Sequence, residues 1–163
     1  MKNLLIALLL LTACTADKPK KHAPLQNILC VIHSVEGRFL SVANNPNEGL
    51  FSMIDVDRSV AFFTKGPGRE AGSVALEQFL SSWHGQAQKM HDDPPNAGFV
   101  FYGNREAQYS EIAIEVRDPM YDPVNNVLSF HIFSILKEFP FDEKHMEEVT
   151  LFIDLTTDIL RPL

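Results

Sequence analysis

Short runs in which apolar and polar residues alternate dominate this chain after its first 27 positions. Ile112, Ile114 and Val116 alternate with Glu111, Ala113, Glu115 and Arg117, as in an antiparallel strand with one buried face. Ile28 to Val35, Arg38 to Ala43, Leu50 to Val56 and Ser59 to Thr64 are further β segments. Glu36-Gly37 reads as a turn between the first two, Asn44 to Gly49 as a loop, and Lys65-Gly66-Pro67-Gly68 as a break. Strands resume at Gly98 to Tyr102, Tyr109 to Val116, Val127 to Leu136 and Val149 to Leu155, with Asp122-Pro123-Val124-Asn125-Asn126 as a turn. One stretch has helical period. Leu76, Phe79, Leu80 and Trp83 recur at i, i+3, i+4 and i+7, which predicts a helix over about 73–84, N-capped by Ser73 and ended by Gly85. A polar loop then runs to Asp92-Asp93-Pro94-Pro95-Asn96. The expected fold is mainly β. It is an antiparallel β-sandwich or open barrel of about seven or eight strands with one inserted amphipathic helix, forming a single domain over 27–163.

The first residues follow another pattern. Lys2 is followed by the apolar run Leu4 to Leu11 and the small pair Thr12-Ala13, the layout of an export signal. The run is too short to span a bilayer, which takes about 20 apolar residues. Leu11-Thr12-Ala13-Cys14 resembles the bacterial lipobox. The resemblance implies diacylglycerol transfer to the Cys14 sulfur, cleavage before Cys14, and acylation, as with palmitate, of the new amino terminus. Residues 1–13 are then a signal peptide, and 14–26 a lipidated cysteine with a flexible tether. In such lipoproteins of Gram-negative cells an Asp after the cysteine retains the protein at the inner membrane. Thr15 therefore implies the outer membrane, with the domain facing the periplasm. Each buried acyl methylene contributes about 0.8 kcal/mol, so two or three chains hold a protein essentially permanently.

The net charge is −7, and loss of Lys2 makes the mature chain one unit more negative. An acidic chain repels phosphate backbones, which argues against nucleic-acid binding. Lys18, Lys20 and Lys21 lie between Cys14 and Pro24. Such a stretch reads as a solvated tether, the alternative being contact with anionic headgroups at about 1 kcal/mol per charge. With Cys14 acylated only Cys30 remains, inside Ile28-Leu29-Cys30-Val31-Ile32. A buried, inert thiol is expected there, and an intermolecular disulfide is the alternative.

The order Phe63-x-x-x-Pro67-x-Arg69-x-x-Gly72, Phe79-x-x-x-Trp83, Asp93-Pro94-Pro95-Asn96-Ala97 is similar to a pattern in small exported bacterial β-rich proteins of unknown function. An Asp-Pro turn after a strand, here Asp118-Pro119 with Tyr121, and the ending Phe152-Ile153-Asp154 belong to the same resemblance. It implies a shared β-rich fold and no activity.

Within that pattern Arg69, Asp93, Asn96 and Trp83 are the candidate ligand or partner loop. Arg69 could meet an anion with helix N-terminal amides near Gly72 and Ser73, or brace the loop by pairing with Asp93 or Asp55. Asp93-Pro94-Pro95-Asn96 reads foremost as a rigid turn into the next strand. Trp83, Phe62, Phe63 and Phe79 could form a sugar platform, but their spacing suits a core. His84, His91 and Asp92 are weak metal candidates without tight ligand spacing, and Asp55-Val56-Asp57 would set two carboxylates on one strand face. No metal or cofactor is expected. There is no Gly-x-Ser-x-Gly elbow and no phosphate loop. The expected function is that of a non-enzymatic structural or accessory subunit of a larger envelope assembly, such as a secretion-system outer-membrane complex. Its partners are the membrane, through Cys14, and other envelope proteins, met at loops or strand edges. The alternatives are a small-ligand or metal-binding lipoprotein and, last, a hydrolase.

Overall fold

A computed structural model of the chain describes residues 27–42, 45–66, 69–103, 108–135 and 145–156. Cys14, the signal segment and the tether lie outside the described residues, as do Pro67 and Gly68. The described chain is mainly β, one antiparallel sheet of eight strands with two short helices. In chain order these are β1 (Asn27–Val42), β2 (Asn45–Val56), β3 (Ser59–Thr64), β4 (Ala71–Ala75), α1 (Leu76–His84), α2 (Ala87–Asp92), β5 (Asn96–Gly103), β6 (Gln108–Asp122), β7 (Val127–Ser134) and β8 (His145–Thr156).

The strand order is β2-β7-β6-β5-β8-β1-β3-β4, and β2 also pairs with β1. That second pairing closes β1, β2, β7, β6, β5 and β8 into a ring. β1 is long enough to hold two neighbours on one side. Its second half pairs with β2, from Ser34 opposite Val56 to Val42 opposite Asn45. Its first half pairs with β3, from Ile28 opposite Thr64 to Val31 opposite Ala61. So β2 and β3 lie end to end along β1, and β3 carries β4 away from the ring.

Closing a sheet of so few strands demands sharp bends, which bulges supply. Asp55 in β2, Asp118 in β6 and Glu148 in β8 have positive φ, 52°, 47° and 49°. At each, the in-out alternation of side chains slips by one position. In β6 the pairing with β7 shifts between Arg117 and Met120, and in β5 the pairing with β8 shifts between Val100 and Tyr102.

The ring is filled by the residues that alternation points inward: Phe51, Met53, Phe99, Ile114, Val116, Leu128, Phe130, Ile132, Leu151 and Ile153 are wholly buried. Phe51 and Phe99 stack at 4.9 Å between centroids. Burying one such side chain contributes about 1.5–3 kcal/mol. The helical segment covers the end of the ring where β5 begins and the β6–β7 turn lies. α1 turns Leu76, Phe79, Leu80 and Trp83 inward, the predicted stripe. Trp83 meets the Phe130 ring edge-on at 6.2 Å. The Leu76 N–H donates to the Arg58 carbonyl at 2.9 Å, tying the helix start to the link between β2 and β3.

Several local expectations are corrected. Glu36-Gly37 is not a turn, because β1 runs through it. Gly37 is buried where a Cβ would come 2.7 Å from Val149 Cγ2, so glycine is needed for close packing rather than for turning. Asn45 to Gly49 belongs to β2 rather than to a loop. Ser73 is not an N-cap: it lies in β4, the helix begins at Leu76, and Ala75 caps it without a side-chain hydrogen bond. The ladder to β3 wins there, with Val74 packed on the core and the Phe62 ring lying where a Gly72 side chain would be. Residues 87–92 form α2 rather than a loop. Asp118-Pro119 is a bulge inside β6, not a turn after it. The Asp122 to Asn126 turn stands as expected.

Candidate functional site

The Asp93-Pro94-Pro95-Asn96 segment links α2 to β5. Each piece has a local task. The Asp93 N–H closes α2 on the Lys89 carbonyl at 2.9 Å, and the Pro95 carbonyl accepts from the Val116 N–H at 3.2 Å. Two prolines fix the backbone between these contacts, so the chain enters β5 in register with β6, Asn96 opposite Glu115. Beside this turn is an open recess of about 230 Å³. Its polar lining is Asn27, Lys89, Asp93, Asn96, Asp154 and Thr156, and its apolar lining includes Met90 and Leu155. Asp154 is already paired, at 2.7 Å, with Lys65 on β3's far end. Both members are close to half exposed, so this pair contributes little stability.

The candidate loop residues separate in space. Asp93 and Asn96 share the recess, and neither Arg69 nor Trp83 lines it. Trp83 is 1 % exposed and packs against Phe79 and Phe130, so its place in a ligand or partner loop is corrected to a place in the core. Phe79 is wholly buried, Phe62 leans on the core, and Phe63 points outward. Arg69 is exposed. The ion pairs among the described residues use Glu36, Glu48, Glu115 and Asp154, not Asp93 or Asp55. Nor does Arg69 precede a helix N-terminus, since β4 intervenes.

His84 sits at the end of α1 with Nε2 3.1 Å from the Pro119 carbonyl. A carbonyl only accepts, so Nε2 carries the proton, and the contact fastens α1 to the β6 bulge. His91 is exposed, and Asp92 accepts both bonds from the Gln88 amide at 2.9 and 3.0 Å. Among the described residues no three His, Cys, Asp or Glu side chains converge on one point. Asp55 and Asp57 are both exposed on either side of buried Val56, and the Asp57 N–H donates to the His33 carbonyl at 2.9 Å. Cys30 is wholly buried, and desolvation pushes its thiol up to about 12. That is the inert state expected of it, and burial removes it from any intermolecular disulfide.

Two features were not legible in the sequence. The first is the outer edge of β4. Among the described residues β4 has one neighbour, β3. The Thr64 N–H donates to the Glu70 carbonyl, and the Leu76 N–H to the Arg58 carbonyl, both at 2.9 Å. Hydrogen-bonded pairs alternate along an antiparallel ladder. Gly72 and Val74 therefore bond to Phe62 and Val60, and the backbone groups of Ala71, Ser73 and Ala75 face away from the sheet. The second feature is an uncharged row on the outer face: Ser73, Ala61, Val31, Phe152, Gly98 and Ala113 stand side by side across β4, β3, β1, β8, β5 and β6. At Gly98, which lacks a side chain, the row dips into an open groove of about 490 Å³ bordered by Val100, Ala113, Phe152 and the carboxylate-bearing Glu111. The alternation Gly72-Ser73-Val74 was the available signal for β4, but the helical stripe starting at Leu76 obscured it.

No helix among the described residues is long and apolar enough to cross a membrane. Comparison with protein-family models, with curated proteins and with solved structures finds no match.

Proposed function

We propose that the protein is a lipoprotein of the cell envelope, anchored in the outer membrane through Cys14 and facing the periplasm. It serves as a non-enzymatic structural or accessory subunit of a larger assembly, such as a secretion-system outer-membrane complex. One observation carries this reading: the edge of β4, open among the described residues, runs beside the uncharged outer row that begins at Ser73. An edge with one neighbour among the described residues offers donors and acceptors to an incoming strand, and the row beside it, itself uncharged, offers apolar contact. The lipobox and the tether to Asn27 supply the anchor and its slack.

The test is isolation of the acylated protein from its native envelope in mild detergent. Envelope proteins in fixed proportion, absent when Cys14→Ala is isolated in the same way, are expected. A chain that comes alone from wild-type membranes contradicts the proposal.

A second reading is favoured by the recess at Asp93 and Asn96, whose carboxylates and amides suit a small polar ligand. It requires a ligand that raises thermal stability, with the increase lost in Asp93→Ala.

A further inference from the structure

We infer that the recess beside the Asp93–Asn96 turn is the seat of this chain's own next segment, Thr157-Asp158-Ile159-Leu160-Arg161, which follows β8 and lies outside the described residues. Continuity and reach argue for this occupant. Leu155 and Thr156, the last residues of β8, themselves line the recess, so the segment starts at its wall. At about 3.3 Å per extended residue, Asp158 lies within about 7 Å of Thr156 and Arg161 within about 17 Å. A molecule from solution has to be captured, whereas this segment is held at the recess by the chain itself, at a high effective concentration.

Charge and apolar pattern match as well. Lys89 and Asp93 stand one turn apart at the end of α2, and both line the recess. Asp158 and Arg161 carry the opposite charges in the same order along the segment. Asp154, the other carboxylate of the lining, is already held by Lys65 at 2.7 Å. In β8 the alternation buries Leu151, Ile153 and Leu155. An extended continuation sets Ile159 on the Leu155 side and Asp158 on the Thr156 side. Ile159 then meets the apolar lining at Met90 and Leu155. Met90 is the residue through which α2 is buried, so the seated segment straps α2 and the proline turn to the end of β8. A small polar ligand entering the recess has to displace it.

The test places the photoreactive residue p-benzoylphenylalanine at position 159 of the full chain, irradiates the purified protein and maps the adducts by peptide mass spectrometry. Adducts within the chain, on peptides holding Met90 or Pro94-Pro95, are expected. Lys89→Glu or Asp158→Lys should each lower their yield, and the two together should restore it. Lys65 reaches Asp154 from β3, so a segment swinging freely from Thr156 meets β3 as readily as α2. Adducts spread equally over β3 and α2 overturn the inference. So does an adduct of twice the chain's mass in place of the internal one, which assigns the segment to a second copy. A chain with an unchanged melting temperature that yields no adduct overturns it, as does a yield indifferent to both charge changes.

Discussion

Trp83 illustrates how one residue type can suggest a surface role while its spacing assigns it to the core. Its ring is buried between Phe79 and Phe130. Trp83→Ala should destabilise the fold by about 3–5 kcal/mol, read as a lowered urea midpoint, and Trp83→Phe by clearly less. Equal effects would mean that the ring is not packed as described. Gly37 makes the converse case, since any side chain there meets Val149 and Phe51. Gly37→Ala should cost about 1–3 kcal/mol. The Cys30 thiol is held neutral by burial, its pKa raised from 9.0 to about 12. A raised pKa adds stability that is present below pH 9 and is lost as pH rises toward 12. Native protein at neutral pH should therefore resist iodoacetamide at Cys30 and react once unfolded in urea. The Asp122 carboxylate has the opposite sign. The Asn125 side-chain amide first, then the backbone N–H groups of Asn125 and Val124, hold it below the usual carboxylate range. Its contribution is present at neutral pH and is lost as pH falls through the folded-state value. A pH series of urea midpoints should be flatter on the acid side for Asp122→Asn than for wild type.

At the level of elements, β4 supports a prediction that sets neighbouring residues against each other. The Ser73 N–H faces outward, so Ser73→Pro breaks no bond to β3 and should leave the unfolding midpoint nearly unchanged. The Gly72 N–H belongs to the ladder, and the Phe62 ring occupies the space a side chain would take. Gly72→Pro should therefore destabilise by about 2 kcal/mol or more. Equal effects would show that the phase of the ladder is wrong. Elements whose pattern is local were legible in the sequence: the stripe of α1, the alternation through Ile114 and Val116, and the turn after Asp122. Those decided by distant neighbours were not. β1 reads as two strands because Glu36-Gly37 has turn composition, and only Val149 and Phe51 packing on Gly37 reveals a continuous strand. α2 buries only Met90, so it shows no apolar stripe. β4 exists because β3 pairs with it, and its five residues alone do not announce it.

For the whole molecule, ring closure is the least local fact. It depends on β1 meeting both β8 and β2, and on positive-φ kinks at Asp55, Asp118 and Glu148, of which residue type gives no warning. The predicted site was legible only in part. The Asp93–Asn96 turn was recognised by its prolines, whereas an edge and an outer row assembled from six strands have no sequence motif. The proposed function combines the expected anchor at Cys14 with the β4 edge, which has one neighbour, β3, among the described residues. The most direct measurement compares wild type with Ser73→Pro, both isolated from native cells at equal folded amounts, by quantitative mass spectrometry of what accompanies them. The account predicts that Ser73→Pro stays folded and membrane-bound but loses its companions. A variant that retains the full set would contradict the assignment of β4 as the docking edge.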